Sequence, residues 1–154
     1  MEYQYTNMGK PLNTSINSLI SADYNGIIGV ESATAWWGFS TFNPDISILL
    51  FNDSKAPKDG IEYNLGMSIL FVPDVNKDNL VNLSHHLRIT DREQTVCDMI
   101  RYNRHEFHLY ETVLSAFDDE SIDFDRLIRL AEYYNIKDKL YNIHELALAC
   151  EDEG

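Results

Sequence analysis

The hydrophobic period of this chain changes from strand-like to helical near Thr90. Upstream, apolar residues come in short runs bounded by turn formers. Asp45-Ile46-Ser47-Ile48-Leu49-Leu50-Phe51 lies between Asn43-Pro44 and Asn52-Asp53-Ser54, and Ile61 to Leu65 and Ser68 to Val72 are separated at Gly66. These runs predict strands, with Leu87-Arg88-Ile89 as a short fourth. Downstream, four stripes keep the i, i+3, i+4, i+7 spacing of helices. They are Val96, Cys97 and Ile100; Phe107, Tyr110, Val113, Leu114 and Phe117; Phe124, Leu127, Ile128, Ala131 and Tyr134; and Ile136, Leu140, Ile143 and Ala147. One such switch predicts an α+β fold, with a small, mostly antiparallel sheet followed by a bundle of about four helices. The joints between stripes are short, so neighbouring helices are expected to pack antiparallel.

The switch is marked by Thr90 and Glu93, three apart and just ahead of the first stripe. This is the spacing of a capping box, in which the hydroxyl takes the residue-93 N–H and the carboxylate reaches back to the residue-90 N–H. A helix is therefore expected to start there.

Residues 1–13 read as a polar, aromatic arm, and residues 14–150 as a single domain, with a helix and sheet part over 14–89 and a helical part over 90–150. Within the first part, Ile16, Leu19 and Ile20 predict a short helix from Thr14 to about Ala22. Asn25-Gly26 marks a turn, Ile27-Ile28 a brief extended piece, and Val30 to Trp37 a second short helix. Gly38 is placed to end that helix in the left-handed conformation. Of the adjacent Trp36 and Trp37, helical geometry puts one ring in the core and one nearer the surface, where an exposed Trp would be a binding anchor, but the packing of both rings is the favoured reading.

The net charge is −13, with −4 carried by residues 1–77 and −9 by residues 78–154. Such a chain lacks the Lys and Arg surplus that displaces counterions from phosphates, which disfavours DNA binding by the chain alone. A basic protein partner suits it better. A local basic face of Arg88, Arg92, Arg101 and Arg104 is the exception to consider. No apolar stretch reaches membrane-spanning length, and the first residues lack a basic-then-apolar leader pattern, so a cytoplasmic location is expected. Cys97 and Cys150 form no CxxC pair and read as core thiols.

Catalytic patterns are weak. His105-Glu106-Phe107-His108 has its histidines three apart, not the four that converge on zinc in H-E-x-x-H, although His105, His108 and Glu111 share a helical face. The neighbours His85 and His86 would point to opposite faces of a strand and cannot chelate together. Gly26-Ile27-Ile28-Gly29 lacks the Gly-Lys-Ser/Thr ending of a phosphate loop. Asp98 is near enough to Arg101 or Arg92 for pairing. The chain is thus read as a binding protein, with no enzyme activity, cofactor or metal assigned. Five acids in eight residues (Asp118, Asp119, Glu120, Asp123 and Asp125) form the candidate surface for a protein partner, with Asp123 also a possible helix N-cap.

Two segments carry a family resemblance. Gly26 to Phe39 resembles the G-x-x-S-x-E-S-A-L-x-x-x-G-L segment of AbiEi-family antitoxins through Gly26, Glu31, Ser32, Ala33 and Gly38, with Gly29 and Thr34 in place of Ser and Leu. Thr90 to Ile100 is similar to that family's E-R-T-x-x-D-x-I through Glu93, Thr95, Asp98 and Ile100, with Gln94 in place of Arg. The resemblance covers about residues 14–148. It implies the C-terminal antitoxin domain of a toxin–antitoxin, abortive-infection system of phage defence, without the N-terminal winged helix that represses the operon. It further implies a nucleotidyltransferase-like toxin as partner, whose basic surfaces −13 would suit. The alternatives are a transcriptional regulator working with a DNA-binding partner, and a mobile-element inhibitor that blocks a defence nuclease as an acidic decoy. The motif residues Glu93, Thr95, Asp98, Ser32, Ala33 and Gly38 are expected to be structural.

Overall fold

The computed structural model describes residues 27–43, 46–51, 67–83 and 88–153. The arm, the Thr14–Ala22 helix, the Asn25-Gly26 turn, the Ile61–Leu65 strand and the His85-His86 pair lie outside the described residues.

The class is α+β. In chain order the elements are β1 (Ile27–Ile28), α1 (Val30–Trp37), β2 (Ser47–Phe51), β3 (Met67–Phe71), β4 (Leu80–Asn82), β5 (Arg88–Thr90), α2 (Arg92–Arg101), α3 (Glu106–Asp118), α4 (Phe124–Tyr133) and α5 (Lys137–Glu153). The strands form one sheet in the order β3-β2-β1-β5-β4. β1 pairs antiparallel with β2, and β4 with β5, whereas β2–β3 and β1–β5 are parallel. The sheet is mixed rather than mostly antiparallel. Residues 52–66 separate β2 from β3, more than the dozen or so that a parallel connection requires, so no hairpin is imposed there.

Both faces of the sheet are covered. Ile28, Leu49, Phe51 and Ile89 join Val96, Cys97 and Ile100 of α2, Val113 of α3, Leu127 of α4 and Leu140 of α5 in the larger core. The alternate residues Ile27, Ile48 and Leu50 join Val30, Val72 and Met99 in a smaller one. This explains why β2 reads as a continuous apolar run: every one of its five residues is buried. Where β1 meets α1, a Cβ on Gly29 would sit 2.5 Å from Leu50 Cδ1 and 2.8 Å from its Cγ, so the backbone there approaches β2 too closely for a side chain.

Three helices end alike. Gly38 lies at φ 83°, and its N–H and that of Phe39 return to Ala35 and Thr34 carbonyls. Asn103 and Asn135 take the same left-handed role after α2 and α4, at φ 50° and 60°. Arg104 N–H returns to Met99 O and Ile136 N–H to Ala131 O. These are Schellman closures, with Asn standing in for Gly.

Several expectations shift. Of the two readings of Trp36 and Trp37, the favoured one holds and the exposed anchor does not: both are buried, edge to face with ring centroids 6.4 Å apart. Trp37 Nε1 donates to Thr90 O at 2.9 Å and its ring lies under the Arg92 guanidinium, which fixes it inside. Phe107 is exposed in the first turn of α3, where the core is filled instead by Thr112, Val113 and Ala116. Cys97 is buried, but Cys150 is exposed near the end of α5. No helix among the described residues is long and apolar enough to cross a membrane.

Candidate functional site

Two of the motif residues, Glu93 and Thr95, and one of the acidic cluster, Asp123, meet where α2 begins. The cap of α2 is Asp91, not Thr90: its Oδ1 accepts from Gln94 N–H at 2.9 Å. The box is displaced by one residue because both of its expected members are engaged elsewhere. Thr95 Oγ1 donates to Thr90 O at 3.1 Å and lies 2.6 Å from Thr90 Oγ1. Each hydroxyl has one hydrogen, so Thr90 is the donor in that pair. Trp37 shares the same Thr90 carbonyl, which locks the end of β5 to α1 and α2.

Glu93 reaches forward instead of back. Its Oε2 accepts from Asp123 N–H at 2.9 Å, and its Oε1 pairs with Arg126 Nη1. Arg126 Nη2 is 2.9 Å from Asp91 Oδ2. One guanidinium thus bridges the two carboxylates at the start of α2 to the start of α4, in the forked geometry that suits arginine. Burial pulls the Arg126 guanidinium down, but Asp91 and Glu93 outweigh it and leave it above its ordinary value.

One turn on, Asp98 is buried. Its Oδ1 accepts from Gln94 Nε2 and from Arg101 Nη1, each at 2.7 Å. Arg101 also pairs with Asp74 beyond β3 and lies 3.8 Å above the Tyr134 ring. Gln94 is a hub: it also donates to Tyr134 Oη at 3.0 Å and accepts from Asn79 Nδ2 at 2.9 Å. Ser32 Oγ donates to Ile46 O at 2.9 Å and accepts from Ile48 N–H at 2.8 Å, joining α1 to β2, while Ala33 is fully buried. Glu31, buried in α1, takes Arg104 Nε at 2.8 Å. The expected basic face therefore does not form as a unit, because Arg101 and Arg104 turn inward to carboxylates and Arg92 covers Trp37.

The acidic cluster divides. Asp119 Oδ1 accepts from Ser121 N–H and Oγ at 2.8 and 2.6 Å, shaping the turn after α3. Asp123 caps α4, accepting from Arg126 N–H at 3.1 Å. Asp118, Glu120 and Asp125 are exposed around them and make no ion pair with the described residues.

His108 and Glu111 come together, Nδ1 to Oε1 3.0 Å, and Glu111 also holds Thr41 N–H at 2.9 Å. The pair ties the segment after α1 to α3. The His105 ring lies beside that of His108, tilted by 44° with centroids 5.5 Å apart. No group of three or more metal-ligating side chains occurs among the described residues.

The Asp98–Arg101 pair was expected from the sequence; Asp91 as the cap, Arg126 as a bridge, the second contact of Arg101 to Asp74 and Gln94 as a hub were missed. Only the spacing of Asp123 and Arg126 gave any local sign of the Arg126 bridge. Comparison with known proteins adds no family: no protein-family model matches the chain, and no curated protein matches it.

Proposed function

We propose that this chain is a non-enzymatic, antitoxin-like protein of the cytoplasm that binds and neutralises a basic, nucleotidyltransferase-like toxin. The observation that carries this reading is the division of charge around α2 and α4. The motif acids Glu93 and Asp98 are turned inward and satisfied, while Asp118 at the end of α3, Glu120 in the joint and Asp125 at the start of α4 are exposed to solvent. Charges used internally fix the scaffold; charges left outside, on a chain of −13, steer a basic partner. The inward pairing of Arg101 and Arg104 weighs against a regulator that reads DNA by itself.

The experiment sequences the adjacent reading frames and pairs the chain with any nucleotidyltransferase-like protein encoded there, by co-purification and calorimetry at low and high salt. A stable complex is expected, with affinity falling at least about tenfold between 50 and 300 mM salt and again in a variant carrying Asp118→Lys, Glu120→Lys and Asp125→Lys. Absence of heat and of co-purification at low salt overturns it.

A further inference from the structure

We propose that the outward stripe of α4 is a second docking site, shaped for a protein segment that carries one carboxylate beside apolar side chains. Arg126, Arg129, Leu130 and Tyr133 follow i, i+3, i+4, i+7 spacing and so lie along one flank of the helix. With Asn79, from the turn before β4, they line an open depression of about 270 Å³. The site shares α4 with one of the exposed acids, Asp125, and does not depend on the toxin reading.

Its parts are held in place. Arg126 is fixed by Asp91 and Glu93. The Asn79 amide is oriented by its bond to Gln94 Oε1. Leu130 is half-buried against the larger core and gives an apolar floor. Tyr133 is 78% exposed, yet its ring is braced edge-on by Tyr134 at 5.1 Å, and Tyr134 in turn packs on Arg101. Arg129 is exposed and makes no hydrogen bond or ion pair with the described residues. A rigid wall, an unengaged guanidinium and an exposed tyrosine are the ingredients from which interface hot spots are built.

Charge selects the occupant. Arg126 is already taken by Asp91 and Glu93, so among the described residues the site offers one available cation, Arg129, enough for a single forked carboxylate contact. A nucleic acid needs several cations along its backbone and is repelled by the net −13. A second copy of the chain meets the same repulsion. A short acidic-apolar segment of another protein fits both the lone cation and the Tyr133–Leu130 surface.

The test is an NMR titration of the isotope-labelled chain with an acetylated, amidated peptide in which one glutamate stands between leucine and phenylalanine. Saturable shifts are expected at the Asn79 side-chain amide, the Arg129 Nε–H and Tyr133. Replacing the peptide's glutamate by glutamine, or introducing Arg129→Glu or Tyr133→Ala, should weaken binding at least about tenfold. Both variants alter exposed side chains, and an unchanged thermal midpoint confirms that the fold is kept. No shift at millimolar peptide, equal shifts with the glutamine peptide, indifference to Arg129→Glu, or tighter binding of oligothymidylate at the same signals would each overturn the proposal.

Discussion

Asp98 and Arg101 form a buried pair one turn apart on α2, Oδ1 to Nη1 2.7 Å, with side chains 3% and 8% exposed. Burial pushes the Asp98 carboxyl up, against the hydrogen bond from Gln94 and the charge of Arg101, from 3.8 to about 6. A carboxyl whose folded value is raised binds its proton more tightly in the folded chain than in the unfolded one. Its contribution to stability is therefore greatest below pH 4 and is lost as pH rises to about 6. In Asp98→Asn this slope should vanish, so the difference in unfolding free energy between parent and variant should change by up to about 3 kcal/mol across that window. Urea unfolding at pH 4, 5, 6 and 7 checks it. Parallel stability–pH curves for the two proteins would show that Asp98 titrates normally.

Arg126 serves two carboxylates at once, and Glu93 is the more buried of them. Arg126→Met keeps the aliphatic stem but leaves both without their cation. A partner lost from a buried pair costs about 3–5 kcal/mol, and the 30% exposure of the Arg126 side chain lowers the expectation to about 2 kcal/mol. Arg126→Lys should recover only part of this, because an ammonium cannot fork between Asp91 and Glu93. Denaturant midpoints of the two variants check the order. Asp118→Asn, at an exposed position, should stay within about 0.5 kcal/mol of the parent.

Gly29 has extended backbone, φ −151°, so any residue could adopt its conformation; the constraint is Leu50. Gly29→Ala forces a methyl to within 2.5–2.8 Å of a Leu50 side chain that is 2% exposed. Overpacking of this kind costs about 1–3 kcal/mol. Adding Leu50→Ala makes room, so the double variant should lose less than the sum of the singles. A double-mutant cycle by chemical denaturation measures that coupling, and strict additivity would remove the clash from the account.

How much of this was legible in the residues follows from the range of each signal. The periods of β2, α1 and the C-terminal helices, and the left-handed Gly38, are written in neighbours a few positions apart, and they could be read. Sheet direction could not, because β1 pairs with β5 across some sixty residues whose route no local pattern specifies. The cap at Asp91 was misplaced for a related reason. Thr90 and Glu93 have the right spacing for a box, but Thr95, Trp37 and Arg126 compete for them, and two of those three come from other elements. Asn103 and Asn135 were legible in principle, since each directly follows a helix's last turn. The pairing of Asp98 with Arg101 could be read from their i, i+3 spacing, whereas the further reach of Arg101 to Asp74 and of Glu93 to Arg126 joins residues that no motif links.

Asn135 offers the cleanest test of those helix closures. It is exposed and left-handed at φ 60°, and its N–H donates to Glu132 O at 3.0 Å while Ile136 N–H reaches Ala131 O at 2.8 Å. Asn enters this region more readily than other side chains, but glycine enters it without a Cβ penalty. Asn135→Gly should therefore be neutral or slightly stabilising, whereas Asn135→Ala should cost about 1 kcal/mol. The loss should be local first: hydrogen exchange at Asn135 and Ile136 should speed up in the alanine variant before any change at Val96 or Ile100 in α2, because only the joint between α4 and α5 is strained. Equal stability of the alanine and glycine variants would mean that the backbone there settles into an ordinary right-handed turn.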